Sequence, residues 1–130
     1  MLPHELLEHY FAEIEAAASR MPAYTENYIE EILTSERANL RMRLRFENGN
    51  LLEINEALVV ESGALETLGY RYHLQQADGK LIFRYDNTPH FPDLPSFPHH
   101  KHLHDAVVSS HKPELLDILQ EAEASIAKLL

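Results

Sequence analysis

The stretch Arg84 to His104, RYDNTPHFPDLPSFPHHKHLH, holds five of the chain's nine histidines together with Arg84, Asp86 and Lys101. Those side-chain types suit two chemistries. Metal-free cleavage of an RNA phosphodiester needs a base for the 2′-hydroxyl, an acid for the leaving oxygen and a cation for the charge that develops on the phosphoryl group. On that reading His99, His100, His102 and His90 handle protons, while Arg84 and Lys101 carry the charge. Tyr85, Asp86, Asn87, Arg71 and His73 would then meet the substrate, Tyr85 by hydrogen bonding or by stacking on a base. No cofactor is required for that chemistry. The competing chemistry is a divalent metal, with Asp86, His90, His100, His102 and His104 as ligands. In extended backbone His100, His102 and His104 point to one side. Against it, HHKHLH matches no established zinc spacing, and Lys101 within it repels a cation. The plainest alternative is that histidines in a Pro-rich loop cap backbone groups or are solvated, the expected fate of His4, His9 and His111.

The elements that must position these residues can be read from periodicity. Residues 3–20 read as an amphipathic helix, with Leu7, Tyr10, Phe11, Ile14, Ala17 and Ala18 at three- and four-residue spacing and Pro3 in the first turn. Met21-Pro22 ends it. Residues 27–34 fit a strand or a helical continuation equally well. Leu40 to Phe46 alternates apolar residues with Arg41, Arg43 and Arg45, the pattern of a half-buried strand with a solvated arginine face. Asn48-Gly49 turns it back into residues 51–60. A three-residue loop, Glu47-Asn48-Gly49, pairs Leu44 with Leu52, Met42 with Ile54 and Arg43 with Glu53, whereas a two-residue turn would mix the faces.

A second hairpin, residues 70–76 and 80–86, turns at Asp78-Gly79. A two-residue turn there puts Tyr70, Tyr72 and Leu74 with Leu81, Phe83 and Tyr85 on a core face. The opposite face then gathers Arg71, His73, Arg84 and Asp86, with Arg71 facing Asp86 as an ion-pair partner and His73 facing Arg84. Pro89, Pro92, Pro95 and Pro98 deny regular structure to residues 87–112. A loop that long is usually functional or disordered. Phe91, Leu94, Phe97 and Leu103 are expected to anchor it, so an ordered functional loop is predicted. Within it, RYDN-x-PH and FPHHKH form two half-sites that the turn at residues 91–96 folds together. A last helix starts near Pro113, with Leu115, Leu119, Ala122, Ile126 and Leu129 on one stripe, acids near its start and Lys128 near its end.

These elements make one domain: helix 1–21, antiparallel sheet 27–86, Pro/His-rich loop 87–112 and helix 113–130. The fold class is α+β, an antiparallel β-meander of four to five strands with the N- and C-terminal helices packed on one face. At 130 residues the chain can bury a real core. No apolar run approaches a membrane span, the acidic N-terminus is no targeting signal, and the lack of cysteine fits a reducing cytoplasm. A net charge of −10 excludes a broadly basic nucleic-acid binder. Its distribution is uneven: residues 1–36 hold eight acids against Arg20, whereas residues 71–112 hold five Lys/Arg, four Asp and seven histidines.

Several long motifs occur in a fixed order. They are Leu7-Glu8-His9-Tyr10, the strand-turn from Arg45 to Glu56, Tyr70 to His73, the run from Asp78 to His90 and Phe97 to His102. In that order the chain resembles the TumE family of toxin-like components of bacterial toxin–antitoxin pairs, over most of its length. The resemblance implies a small cytoplasmic bacterial protein neutralised by a cognate antitoxin encoded beside it, often one with a DNA-binding domain. Its motif positions fall on Arg84, Tyr85, Asp86, Asn87, Pro89, His90, His99, His100, Lys101 and His102. RNA is a candidate target by analogy with other toxins of similar size and from the His/Arg/Lys content, not from the family itself. An acidic chain suits a basic partner, no membrane is expected, and a homo-oligomer is left open.

Overall fold

The computed structural model describes residues 1–129, with side chains through residue 126. Helix α1 (Pro3–Ser19) begins where the Glu5 carboxylate accepts a hydrogen bond from the Leu2 N–H, with Pro3 in the first turn. It ends before Pro22, and buries Leu7, Phe11, Ile14, Ala17 and Ala18. Seven strands follow: β1 (Ala23–Ile32), β2 (Arg37–Phe46), β3 (Leu51–Glu61), β4 (Ala64–Gln75), β5 (Leu81–Asp86), β6 (His100–His102) and β7 (Val107–Ser109). They pair in chain order, every pair antiparallel. Helix α2 (Leu115–Leu129) closes the fold. No helix among the described residues is long and apolar enough to cross a membrane.

The α+β class and the terminal helices match the sequence reading, but the strand count is seven, not four to five. Residues 23–32 are a strand, not a helical continuation. Residues 87–112 do contain regular structure, because β6 and β7 are short enough to lie between the prolines. Phe97 and Leu103 are exposed rather than anchoring. Strand pairing and buried Ser96 hold the loop instead: the Ser96 hydroxyl donates to the His99 carbonyl and accepts from the Ser110 N–H. The expected helical stripe is buried at Leu115, Leu119 and Ala122, while Lys128 and Leu129 lie outside the described side chains.

The core lies between one sheet face and the two helices. In β2 the alternation buries Ala38, Leu40, Met42, Leu44 and Phe46, each at most 2% exposed. Full burial of each of the larger of these side chains stabilises the fold by about 1.5–3 kcal/mol. Register in the first hairpin is as expected, with Leu44 opposite Leu52 and Gly49 at φ 90°. In the second hairpin the pairs Arg71–Asp86, His73–Arg84 and Leu74–Phe83 also form. The turn itself is one residue longer than expected, closing from Gln76 to Lys80, and a bulge between Leu74 and Gln75 absorbs the difference.

Candidate functional site

Backbone register alone sorts the polar face of the sheet into rows. Ile29, Arg41, Asn55, Arg71, Asp86, His100 and Ser109 are successive cross-strand partners from β1 to β7. Beside them run Asn27, Arg43, Glu53, His73, Arg84, His102 and Val107. Cross-strand partners share a face, so the two half-sites of the sequence meet as strands β5 and β6.

At the β5–β6 end three side chains converge. Asp86 and His100 are buried, at 5% and 1% exposure, and His102 lies at the rim. His100 Nε2 stands 3.0 Å from His102 Nε2 and 3.0 Å from Asp86 Oδ1, and His102 Nε2 stands 3.6 Å from Asp86 Oδ2. The Pro98 carbonyl can only accept, so His100 Nδ1, 3.0 Å away, must be its donor. The Thr88 N–H donates to Asp86 Oδ1 and fixes the carboxylate. Phe91 walls the cluster, its ring edge-on to His100 and His102 at 4.9 and 5.7 Å. Arg84 Nε lies 3.4 Å from Asp86 Oδ2, off hydrogen-bonding angle, which leaves its fork free to face an anion. Burial, aided by the Arg84 charge, holds the His102 imidazole below the usual histidine range.

Strand alternation sends the residues between them to the other face. Lys101 pairs with Tyr85, donates to Glu121 of α2 at 3.1 Å and sits over the Tyr85 ring. Burial pulls its ammonium down, but Tyr85 and Glu121 more than offset that and hold it above the usual lysine range. His99 stacks on Tyr70 and shares a 2.9 Å hydrogen bond with the Tyr70 hydroxyl, and burial lowers its imidazole. The expected grouping of His99 and Lys101 with His100 and His102 is therefore not formed. His104 lies in the exposed turn after β6, where extended alternation has stopped, and it does not join the cluster. His90 is exposed and flanks the same Phe91 ring.

Of the residues assigned to substrate, Tyr85 belongs to the core, its hydroxyl donating to Glu121. The Asn87 amide is taken up by the backbone of β4, accepting from Tyr70 N–H and donating to the Leu68 carbonyl. Arg71 faces Asp86 but makes no ion pair with it, since Arg84 takes that place. His73 is half-buried opposite Arg84, and burial lowers its imidazole.

Sequence reasoning missed the Pro98 carbonyl and the wall role of Phe91, neither of which leaves a pattern. It also missed a groove of about 540 Å³ on the polar face, whose lining includes Glu31, Asn39, Arg41, Asn55, Gly69 and Arg71, with Glu31 accepting from the Asn39 amide. Alternation in β3 carried to its partners would have found that groove. Arg43 and Arg45 are paired with Glu26, and Arg43 also with Glu53, but Arg41 and Arg71 make no ion pair among the described residues. Ile29, Arg41, Asn55 and Arg71 of the groove belong to the row that goes on through Asp86 and His100 to Ser109.

A family model described as Toxin TumE matches residues 8–130. No curated protein and no solved structure matches the chain.

Proposed function

The chain belongs to the TumE toxin family, and on that premise we propose that it is the toxin of a bacterial toxin–antitoxin pair and cleaves RNA on the polar face of its sheet. The observation that carries this reading is the cluster of Asp86, His100 and His102 beside Arg84, with Asp86 and His100 in the same cross-strand row as Arg41 and Arg71, which line a groove on that face. The unpaired arginines of the groove take the phosphate backbone. The 2′-hydroxyl gives its proton to the cluster and its oxygen attacks phosphorus. The bond to the 5′-oxygen breaks, Arg84 neutralises the charge on the phosphoryl oxygens, and His90 returns a proton to the leaving oxygen. His100 and His102 do not divide acid and base between them. With 3.0 Å between their Nε2 atoms, no phosphate fits in the gap. The acidic total suits a basic antitoxin encoded beside the toxin.

Induced expression in a bacterial host, with growth and total RNA followed, tests the reading. Wild type should arrest growth and fragment RNA, and His102→Ala and Arg84→Ala should lose both effects by about tenfold or more. Undiminished fragmentation in both variants would sink it. The same cluster also favours a second reading, a non-catalytic metal- or protein-binding module, which predicts growth arrest with intact RNA.

A further inference from the structure

We infer that Asp86, His100 and His102 form a binding site for one divalent first-row transition-metal ion. The starting point is a conflict of lone pairs. A neutral His100 that donates from Nδ1 to the Pro98 carbonyl presents a bare lone pair at Nε2. That lone pair faces the Asp86 carboxylate and the His102 Nε2, each 3.0 Å away. His102 Nε2 can donate to that lone pair, but against Asp86 the lone pair still stands acceptor to acceptor in a cluster walled on one side by Phe91. An ion shared by the three side chains removes that conflict, with the Arg84 guanidinium, 3.4 Å from the other carboxylate oxygen, as its neighbouring charge.

The spacing fits a metal. Ligand atoms about 2.0–2.2 Å from one ion, at octahedral to tetrahedral angles, lie about 2.9–3.6 Å from each other. Here the two Nε2 atoms are 3.0 Å apart, His100 Nε2 is 3.0 Å from Asp86 Oδ1, and His102 Nε2 is 3.6 Å from the other carboxylate oxygen, Oδ2, so the carboxylate spans both imidazoles. Two imidazoles and one carboxylate select a transition metal over magnesium or calcium and leave coordination positions open. The surroundings also have the form that orients metal ligands: His100 Nδ1 is held by a carbonyl and Asp86 by a backbone N–H.

Both objections raised by the sequence fall away in three dimensions. Lys101 is on the far face of β6, bound to Glu121, so it does not repel a cation in the cluster. The His-x-His spacing belongs to a strand, where alternate residues share a side and the third ligand comes from the paired strand. The metal site occupies the centre used in the proposed RNA cleavage, where an ion would engage the lone pairs that otherwise accept the 2′-hydroxyl proton and would supply Lewis-acid charge in their place. Metal binding itself is measured without RNA.

The full chain, purified without an affinity tag and stripped by chelation, is titrated with Co²⁺ and with Zn²⁺, followed by visible absorption and calorimetry. One equivalent of each ion should bind, with Co²⁺ developing ligand-field bands that excess Zn²⁺ removes. His102→Ala and Asp86→Asn should weaken binding by more than the roughly 10–100-fold that loss of an outer-shell partner costs. His104→Ala and His9→Ala should bind like wild type. His102 lies at the rim, so its variant tests the site even where Asp86→Asn fails to fold. No stoichiometric binding, binding that survives both ligand variants, or binding lost with His104 would overturn the inference. RNA cleavage assayed on the same samples separates the two claims. Stoichiometric metal with intact RNA overturns the ribonuclease reading and upholds the metal site. Cleavage by a chain that binds no metal does the reverse.

Discussion

Lys101 lies between two histidines in the chain and on the opposite side of the sheet from both in space. From the sequence its charge reads as part of the cluster, because a Pro-rich loop gives no reason to expect a three-residue strand. Once His100–His102 is a strand, alternation alone separates it. The legible part of the site was thus the set of residue types, and the illegible part was which of them share a side. Lys101→Met tests the separation directly. Growth arrest and RNA fragmentation should persist, and a partly exposed pair with Glu121 should cost only about 0.2–1 kcal/mol in urea denaturation. Loss of toxicity with stability retained would return Lys101 to the reactive centre.

The strands carried more information than the loop, and for a physical reason. In β2–β3 and β4–β5 the core-facing sets are so apolar that a one-residue slip would bury arginines, so register could be argued from side chains alone. Turn length was not fixed by that argument, because a bulge between Leu74 and Gln75 let a three-residue turn reach the same pairing. No apolar alternation marks the residues between β3 and the buried part of β4, although Ser62-Gly63, both at positive φ, makes the tight turn that starts β4 at Ala64. A second bulge at Ala57/Leu58 leaves Leu68 without a cross-strand partner, and the Asn87 side chain bonds the backbone on either side of Gly69. Asn87 follows Asp86 directly, so this patch ties the end of β5 to β4 where the cluster is built. Asn87→Ala should lower stability by about 1–3 kcal/mol through the polar groups it orphans. Hydrogen exchange should quicken at Tyr70 before it does in β2. An unchanged rate there would mean that the amide does not hold the bulge.

At the scale of the molecule, the two faces of the sheet differ in charge as well as in polarity. The acid-rich helices cover one face, while on the other Glu26 and Glu53 are paired with Arg43 and Arg45, Glu31 is bonded to Asn39, and Arg41, Arg71 and Arg84 add further positive charge, so a net charge of −10 does not preclude an RNA-binding side. What joins the helical layer to the sheet includes one buried carboxylate. Glu56, 4% exposed, accepts from the hydroxyls of Tyr10 on α1 and Tyr72 on β4. Burial raises its carboxyl above the usual carboxylate range, although both hydroxyls oppose the shift. The folded chain therefore keeps this proton to a higher pH than the unfolded chain does. Its contribution to stability is fully present below the unfolded value of 4.5 and is lost as pH rises through the folded value. Glu56→Gln keeps an acceptor and a donor at the same place but has no proton to lose. Thermal unfolding followed from acid to neutral pH should show the variant gaining on wild type as pH rises. Parallel profiles would mean that the carboxyl stays in the same ionisation state in the folded and unfolded chains across that range.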